Sequence, residues 1–351
     1  MNKESYLEAL YNALKDKTKD TNAQKIIEYY EQYFDDGADL GKTEQQILIE
    51  LGDAETLAAE VLSGMQMKAQ DLFSSDELVR MIDVTLLDIR VHVVFSERQE
   101  VSITYQGIDE YNPELLSVEF ISNHLRIIQK ANRVMPWQHY AHQESKPYLL
   151  VELPKSYKGK LQFETRDSRI IVDGKNYQTR VKLHLRSRDG KVECNELSCR
   201  SVDVATRDGR IKMAHCTMET MELESVAGRI EIDRCIAKYV HGKCQEGRIV
   251  LDKSRAELTE LENIDGRIIV NESLIDDCRM ENEDGKIVYS LLDDNRGLHL
   301  DLLSRLGKLI VNGKPLDKGV LAIKDLKPKK KEKRYLNVYA RTSGGRIEII
   351  H

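Results

Sequence analysis

"SVAGRIEIDRCIAKYVHGKCQEGRIVLDKSRAELTELENIDGRIIV", residues 225–270, carries Gly-Arg-Ile three times, beginning at Gly228, Gly247 and Gly266, each 19 residues after the last. Outward from this stretch the Gly-Lys/Arg pair recurs at Gly190, Gly209 and Gly285 in the same register. It returns at Gly307 after 22 residues and at Gly345 after a further 38, two periods. A fixed period of this length is the mark of a repeat architecture.

Counted from each glycine, the apolar residues keep their offsets. After Gly209 they are Ile211, Met213, Cys216, Met218, Met221 and Leu223; after Gly190 they are Val192, Cys194, Leu197, Cys199, Val202 and Val204. After Gly266 the same offsets give Ile268, Val270, Ser273, Ile275, Cys278 and Met280. Two inward side chains spaced by two make one short strand, because strand side chains alternate in direction. Three such pairs predict three short strands per turn, bent between them and closed by a wider corner at the glycine. The fold expected is mainly β: a right-handed β-solenoid of about 19 residues per turn, preceded by a small α-helical bundle. Gly190, Gly209, Gly228, Gly247, Gly266, Gly285, Gly307 and Gly345 are its structural corners, chosen because glycine accepts positive φ. At about 4.8 Å per turn, some 14 turns would make a rod of order 65 Å. Asp189, Asp208, Glu246, Asp265 and Asp284 precede the glycines, and Lys191, Arg210, Arg229, Arg248, Arg267 and Lys286 follow them. Stacking predicts an acidic file beside a basic one, paired across turns. A polyanion-binding stripe along the arginines is the other reading of that file.

The remaining sequence frames this array. Residues 1–64 read as a helical domain: Leu7, Leu10, Tyr11 and Leu14 share one helix face, and Ile26, Ile27, Tyr30, Tyr33 and Phe34 another. Thr43 with Gln46 predicts a capping box, Gly52 a helix stop, and Asp53 the cap of a fourth helix. Residues 65–80 read as a linker and 81–351 as the solenoid. The net charge of −6 is mild and argues for neither nucleic acid nor a membrane surface. No apolar run approaches the ~18 residues of a membrane-spanning helix, and the first twenty residues lack a signal-peptide pattern. The expected location is cytoplasmic or peripherally membrane-associated. Six cysteines, at 194, 199, 216, 235, 244 and 278, form no metal-ligand spacing or disulfide framework. Cys216 and Cys235 continue with Ser254 and Ser273 as a file of small inward residues, whereas Cys244 falls in the corner segment. No cofactor is expected.

Two segments interrupt the strand pattern. "LKPKKKEKRY", 326–335, concentrates Lys327, Lys329, Lys330, Lys331, Lys333 and Arg334 in a loop suited to an anionic surface. "ANRVMPWQHYAHQESKP", 131–147, holds the single tryptophan, with Trp137, His139, Tyr140 and His142 as a candidate binding lip. The open ends of a coil expose unpaired strand edges, so the helical domain is expected to cover the first end, and self-association is expected through the C-terminal one.

The β part, with its "DGRI" corners and the ending "VNGKPL…LNVYARTSGGRIEII", resembles the bacterial putative-adhesin β-strand-repeat family, whose function is unknown. The front, "YLEALYNALKD…IIEYYEQYFDDGADLGKTEQQILIELGDAETLAAEVL", resembles the HAAS helical domain of Firmicute proteins. That domain often precedes membrane helices, whereas none follows residue 64 here. The resemblance implies a non-enzymatic interaction protein in cell-envelope stress signalling or at the surface. A protein partner would dock on the helical domain, and envelope lipid, wall polymer or peptide on the solenoid. The alternatives are a cytoplasmic scaffold, favoured by the free thiols, and a polysaccharide-active β-helix enzyme, which would need a localised acid–base cluster.

Overall fold

The computed structural model describes residues 2–15, 17, 20–39, 42–65, 68–107, 115–130, 147–291, 296–316, 321–327 and 334–351. The chain is mainly β: one continuous solenoid-type sheet preceded by a small helical region. Helices α1 (Lys3–Lys15), α2 (Asp20–Asp39), α3 (Glu44–Leu51) and α4 (Ala54–Met65) form that region around a core of Tyr6, Leu10, Leu14, Phe34, Ile47 and Ala58. Tyr6 meets Phe34 edge to face at 6.1 Å between ring centres. The start and stop signals work as their chemistry dictates. The Gln46 side chain accepts from the Thr43 amide at 2.8 Å while the Gln46 amide donates back to the Thr43 hydroxyl. Gly52 closes α3 with φ +72°, and Asp53 accepts from the Thr56 amide at 3.0 Å to open α4.

In the coil, parallel strands stack in register. On one side Lys182–Ser187, Ser201–Thr206 and Thr217–Ser225 lie next to one another, with Leu183 beside Val202 and Val202 beside Met221. On a second side Val192–Asn195, Arg210–Ala214 and Arg229–Asp233 stack likewise. A third side is reduced to single bridges such as Ser198 with Thr217 in the early turns, and to two-residue pairings such as Met218 with Ala237 in the later ones. Further on, the corners straighten into the long strands Ile236–Asp252, Arg255–Asn271 and Leu274–Ser290, paired Arg248 to Arg267 to Lys286. The apolar offsets point inward: Ile211, Met213, Cys216, Met221 and Leu223 are buried, in one core that runs the length of the coil.

The corners hold three devices. At the glycine corner, the deciding constraint is close approach rather than φ. Only Gly247, Gly266 and Gly285 have positive φ (138°, 139° and 151°). Yet a Cβ on Gly228 would lie 1.9 Å from the carbonyl oxygen of Gly209, and one on Gly209 would lie 2.0 Å from that of Gly190. Each turn therefore rests on the backbone of the one before, and no side chain fits between them. Three residues before each glycine, a small polar side chain is buried: Ser187, Thr206, Ser225, Asn263, Asn282, Ser304 and Thr342. These satisfy corner backbone that the core would otherwise strand. The Gly190 amide donates to the Ser187 hydroxyl at 3.0 Å, and the Asn263 amide nitrogen donates to the Gly247 carbonyl at 3.3 Å. Cys244 stands in this file, buried, so it is an inward residue rather than part of an outward corner. At the third corner Glu196, His215, Arg234, Lys253 and Glu272 all take positive φ, between 45° and 56°. The next residue repays that bend in the file of small residues: Ser254 accepts from the Cys235 amide at 3.0 Å and Ser273 from the Ser254 amide at 3.1 Å.

Both ends depart from the expected order. The segment 65–80, expected as a linker, contributes the strand Lys68–Ser75, antiparallel to Val101–Gly107, which in turn pairs antiparallel with Tyr148–Pro154. Leu116–Ile121 caps His124–Gln129 in the same manner. These antiparallel strands, not the helices, satisfy the open edge at this end of the coil. At the other end the strands Arg334–Thr342 and Arg346–Ile350 are inserted between Leu274–Ser290 on one side and Arg296–Ser304 with Leu309–Val311 on the other. Gly345 accordingly sits on Gly285, and Gly307 sits on Gly345. Residues 344–351 are thus an inner course of the coil, and the outer one is closed by antiparallel Leu321–Leu326. Strands spent on caps leave fewer turns than a uniform repeat from residue 81 would make. No helix among the described residues is long and apolar enough to cross a membrane.

Candidate interaction surface

The third side, where the early turns are joined by single bridges and the later ones by two-residue pairings, is recessed. The recess is a groove of about 760 Å³ crossing successive turns from Gln178 to Leu274 and ending at Arg296 and Leu336. Its floor is small and apolar, with Cys199, Met218, Ala237 and Ala256. Its rim carries both signs along its length, with Arg180, Arg200, Lys238, Arg255 and Arg296 interspersed with Glu219, Glu257 and Asp276. An apolar floor between charges of both signs suits an elongated ligand of mixed polarity.

The second side carries the cations that follow the glycines. Arg169, Lys191, Arg210, Arg229, Arg248, Arg267, Lys286, Arg346 and Lys308 succeed one another on stacked strands. Contrary to the pairing expected from sequence, they do not pair with the acids that precede the glycines. Asp189 and Asp208 instead meet their own neighbours Arg188 and Arg207, at 3.6 and 3.7 Å. Six of the cations pair instead with a glutamate two residues along the strand from a member of the file, on the same face. Glu193 contacts Arg169 and Lys191, and Glu231 contacts Arg210 and Arg229. Glu348 contacts Lys286 at 2.7 Å and Arg346 at 2.8 Å. Reading only the residues beside glycine missed these acids; the signal was a glutamate three positions after Gly190, Gly228 and Gly345. Burial and the cations around Lys191, led by Arg169, lower its pKa. On the first side Asp203 receives two hydrogen bonds from Arg186, at 2.8 and 2.7 Å, and lies 2.8 Å from His184. Burial works against its ionisation, but Arg186 and His184 together hold it below the usual carboxylate range.

Of the sites expected from sequence, Trp137, His139, Tyr140 and His142 lie outside the described residues, as do Lys329, Lys330, Lys331 and Lys333. Lys327 is exposed at the end of the strand Leu321–Leu326, and Arg334 begins the next. The corner glycines are brought into one file, each against the next. All six cysteines are buried and free. Burial pushes the thiols of Cys194, Cys199 and Cys278 well up, and that of Cys244 up to about 11, so they are poor nucleophiles at neutral pH. Among the described residues no group of three or more His, Cys, Asp or Glu side chains could hold a metal ion.

The profile of the Toastrack DUF4097 family matches residues 79–347, which is nearly all of the coil, including the inserted strand Arg334–Thr342. The chain belongs to the Toastrack DUF4097 family. Ahead of the Toastrack region, residues 5–60 match HAAS. Among solved structures, the chain is similar to a putative cell adhesion protein from Clostridium sporogenes ATCC 15579. They share 10% identity over 81% of this chain and 98% of that one, with a TM-score of 0.29. A putative adhesin from Bacteroides fragilis NCTC 9343 shares 12% identity over 81% and 97%, with a TM-score of 0.40. One from Parabacteroides merdae ATCC 43184 shares 10% over 82% and 97%, with a TM-score of 0.39. No curated protein matches the chain.

Proposed function

We propose that this Toastrack chain is a non-enzymatic interaction protein, with the coil as its binding surface and the helical region as a docking unit for a protein partner. The groove carries this reading: it extends across successive turns with an apolar floor and a rim of both charges. Such a surface suits an elongated partner such as a peptide or a wall polymer. Within the proposal, residues 1–64 form the helical domain and 81–351 the solenoid. The coil is right-handed, with about 19 residues and three short strands per turn. Pairings such as Arg229 with Arg248 and Arg248 with Arg267 support that repeat. Ile49, 81% exposed on α3, is the apolar side chain through which the helices would meet their partner. The setting proposed is cell-envelope stress signalling.

Photo-crosslinking in intact cells tests this. A benzophenone amino acid in place of Lys238 or Glu257 should capture a discrete envelope component, more strongly under envelope stress. The same group in place of Glu224, on another side of the coil, should not. Equal labelling from all three positions would overturn the groove as the binding surface.

A further inference from the structure

The acids on the second side follow a rule. In spatial order the turns begin at Gly190, Gly209, Gly228, Gly247, Gly266, Gly285 and Gly345. A glutamate three residues after the glycine occurs on alternate turns, at Glu193, Glu231 and Glu348. Each one bridges the cation of its own turn and that of the turn before. The glutamates are the covered partners: their side chains are 7%, 13% and 18% exposed, against 33–46% for the cations over them. The alternation fails once. The turn from Gly266 should carry the next acid, and Ile269 stands there. Its two cations, Arg248 and Arg267, pair directly across the turns. Neither makes an ion pair among the described residues.

We propose that Arg248 and Arg267 form an open carboxylate clamp that takes a glutamate or aspartate side chain from an acidic segment of a partner protein. Three copies of the clamp on the same face hold a carboxylate, which identifies the group the fourth would accept. Two guanidinium groups on adjacent turns offer it several charge-assisted hydrogen bonds. Val250, Ile269 and Val288, half-buried on the same face, give apolar side chains beside that acid a place to lie. The clamp takes one anion and not a long polyanion. On one side Glu231 already neutralises Arg229, and on the other Glu348 neutralises Lys286. A chain of phosphates would meet cations already paired with carboxylates at both ends. This site lies on a different side of the coil from the groove, so either can fail without the other.

The test uses the full chain and a fluorescein-labelled peptide, Ser-Gly-Val-Glu-Val-Ser-Gly, with a glutamine version as its control. Anisotropy should report binding of the glutamate peptide and about tenfold or weaker binding of the glutamine one. Arg248→Gln with Arg267→Gln should weaken binding by a similar factor, and Arg210→Gln should not. The deciding variant is Ile269→Glu, which restores the alternation. It should keep or raise the urea midpoint while losing about tenfold in peptide affinity, because the internal carboxylate occupies the clamp. Nitrogen NMR of the arginine side chains covers weak binding: Arg248 and Arg267 should shift with added peptide, while Arg210 and Arg229 stay. The clamp is overturned if Ile269→Glu binds the peptide as wild type does, if neither arginine shifts, or if short-chain polyphosphate binds wild type and Ile269→Glu equally and more tightly than the peptide.

Discussion

Arg234 bends the chain with φ +49°, a conformation that costs an L side chain about 1–2 kcal/mol, and four other residues share the cost in the same file. Asparagine tolerates this region better. Arg234→Asn is expected to gain between a few tenths and about 1 kcal/mol, seen as a rise in the urea midpoint. Gly228→Ala should do the reverse. Its Cβ would meet the Gly209 carbonyl, and forcing the turns apart should cost about 3 kcal/mol or more. Cys244→Ser should be nearly silent, since Ser225 and Asn263 occupy the same file on the neighbouring turns. Asp203 gives the molecule an acid-sensitive contact. Its folded pKa lies below the unfolded value, so its contribution is present above the ordinary aspartate pKa of about 3.9 and lost as pH falls through the folded value. Asp203→Asn should remove this component, so its stability falls less steeply than that of wild type below about pH 4.

At the scale of strands and corners, what was legible in the sequence was what repeats in one chemical class. Ile211, Met213, Met221 and Leu223 could be placed inward because their counterparts on other turns are also apolar, and packing tolerates exchange among such side chains. The glycines were legible as corners, but positive φ accounts for only Gly247, Gly266 and Gly285; the carbonyl that excludes a Cβ belongs to the turn before and leaves no local trace. The polar file escaped notice because Ser187, Thr206, Cys244 and Asn263 share size and hydrogen bonding rather than a letter. Of the candidate sites, the basic file was legible and its partners were not, since pairing follows the strand face and not adjacency to glycine. The edge strands were hidden for a related reason. Lys68–Ser75 is polar, and only its pairing with Val101–Gly107 makes it a strand. Removing residues 1–75 should therefore expose a strand edge and shift the protein toward higher oligomers in size-exclusion chromatography. Removing residues 1–67 should not.

For the molecule as a whole, stability should behave as a sum over neighbouring turns, and the cost of a truncation depends on position in space rather than in sequence. Loss of residues 344–351 removes Arg346–Ile350, which pairs with Leu274–Ser290 on one flank and Leu309–Val311 on the other. Such a truncation should lower the melting temperature and bring premature protease cleavage between residues 291 and 327, ahead of the central turns. A terminal course would have been lost with little effect. The inserted course also sets a problem of timing. A ribosome completes Arg296–Ser304 before Arg334–Thr342, yet the later segment lies between the earlier one and the long strands. A nascent chain that zips up in the order of synthesis would lay Arg296–Ser304 directly against Leu274–Ser290, filling the slot with the wrong strand. The native arrangement requires that slot to stay vacant, or to be reopened, until the last course arrives. Vectorial synthesis and the finished topology are thus at odds at this one end, where extension in the order of synthesis does not give the native strand order.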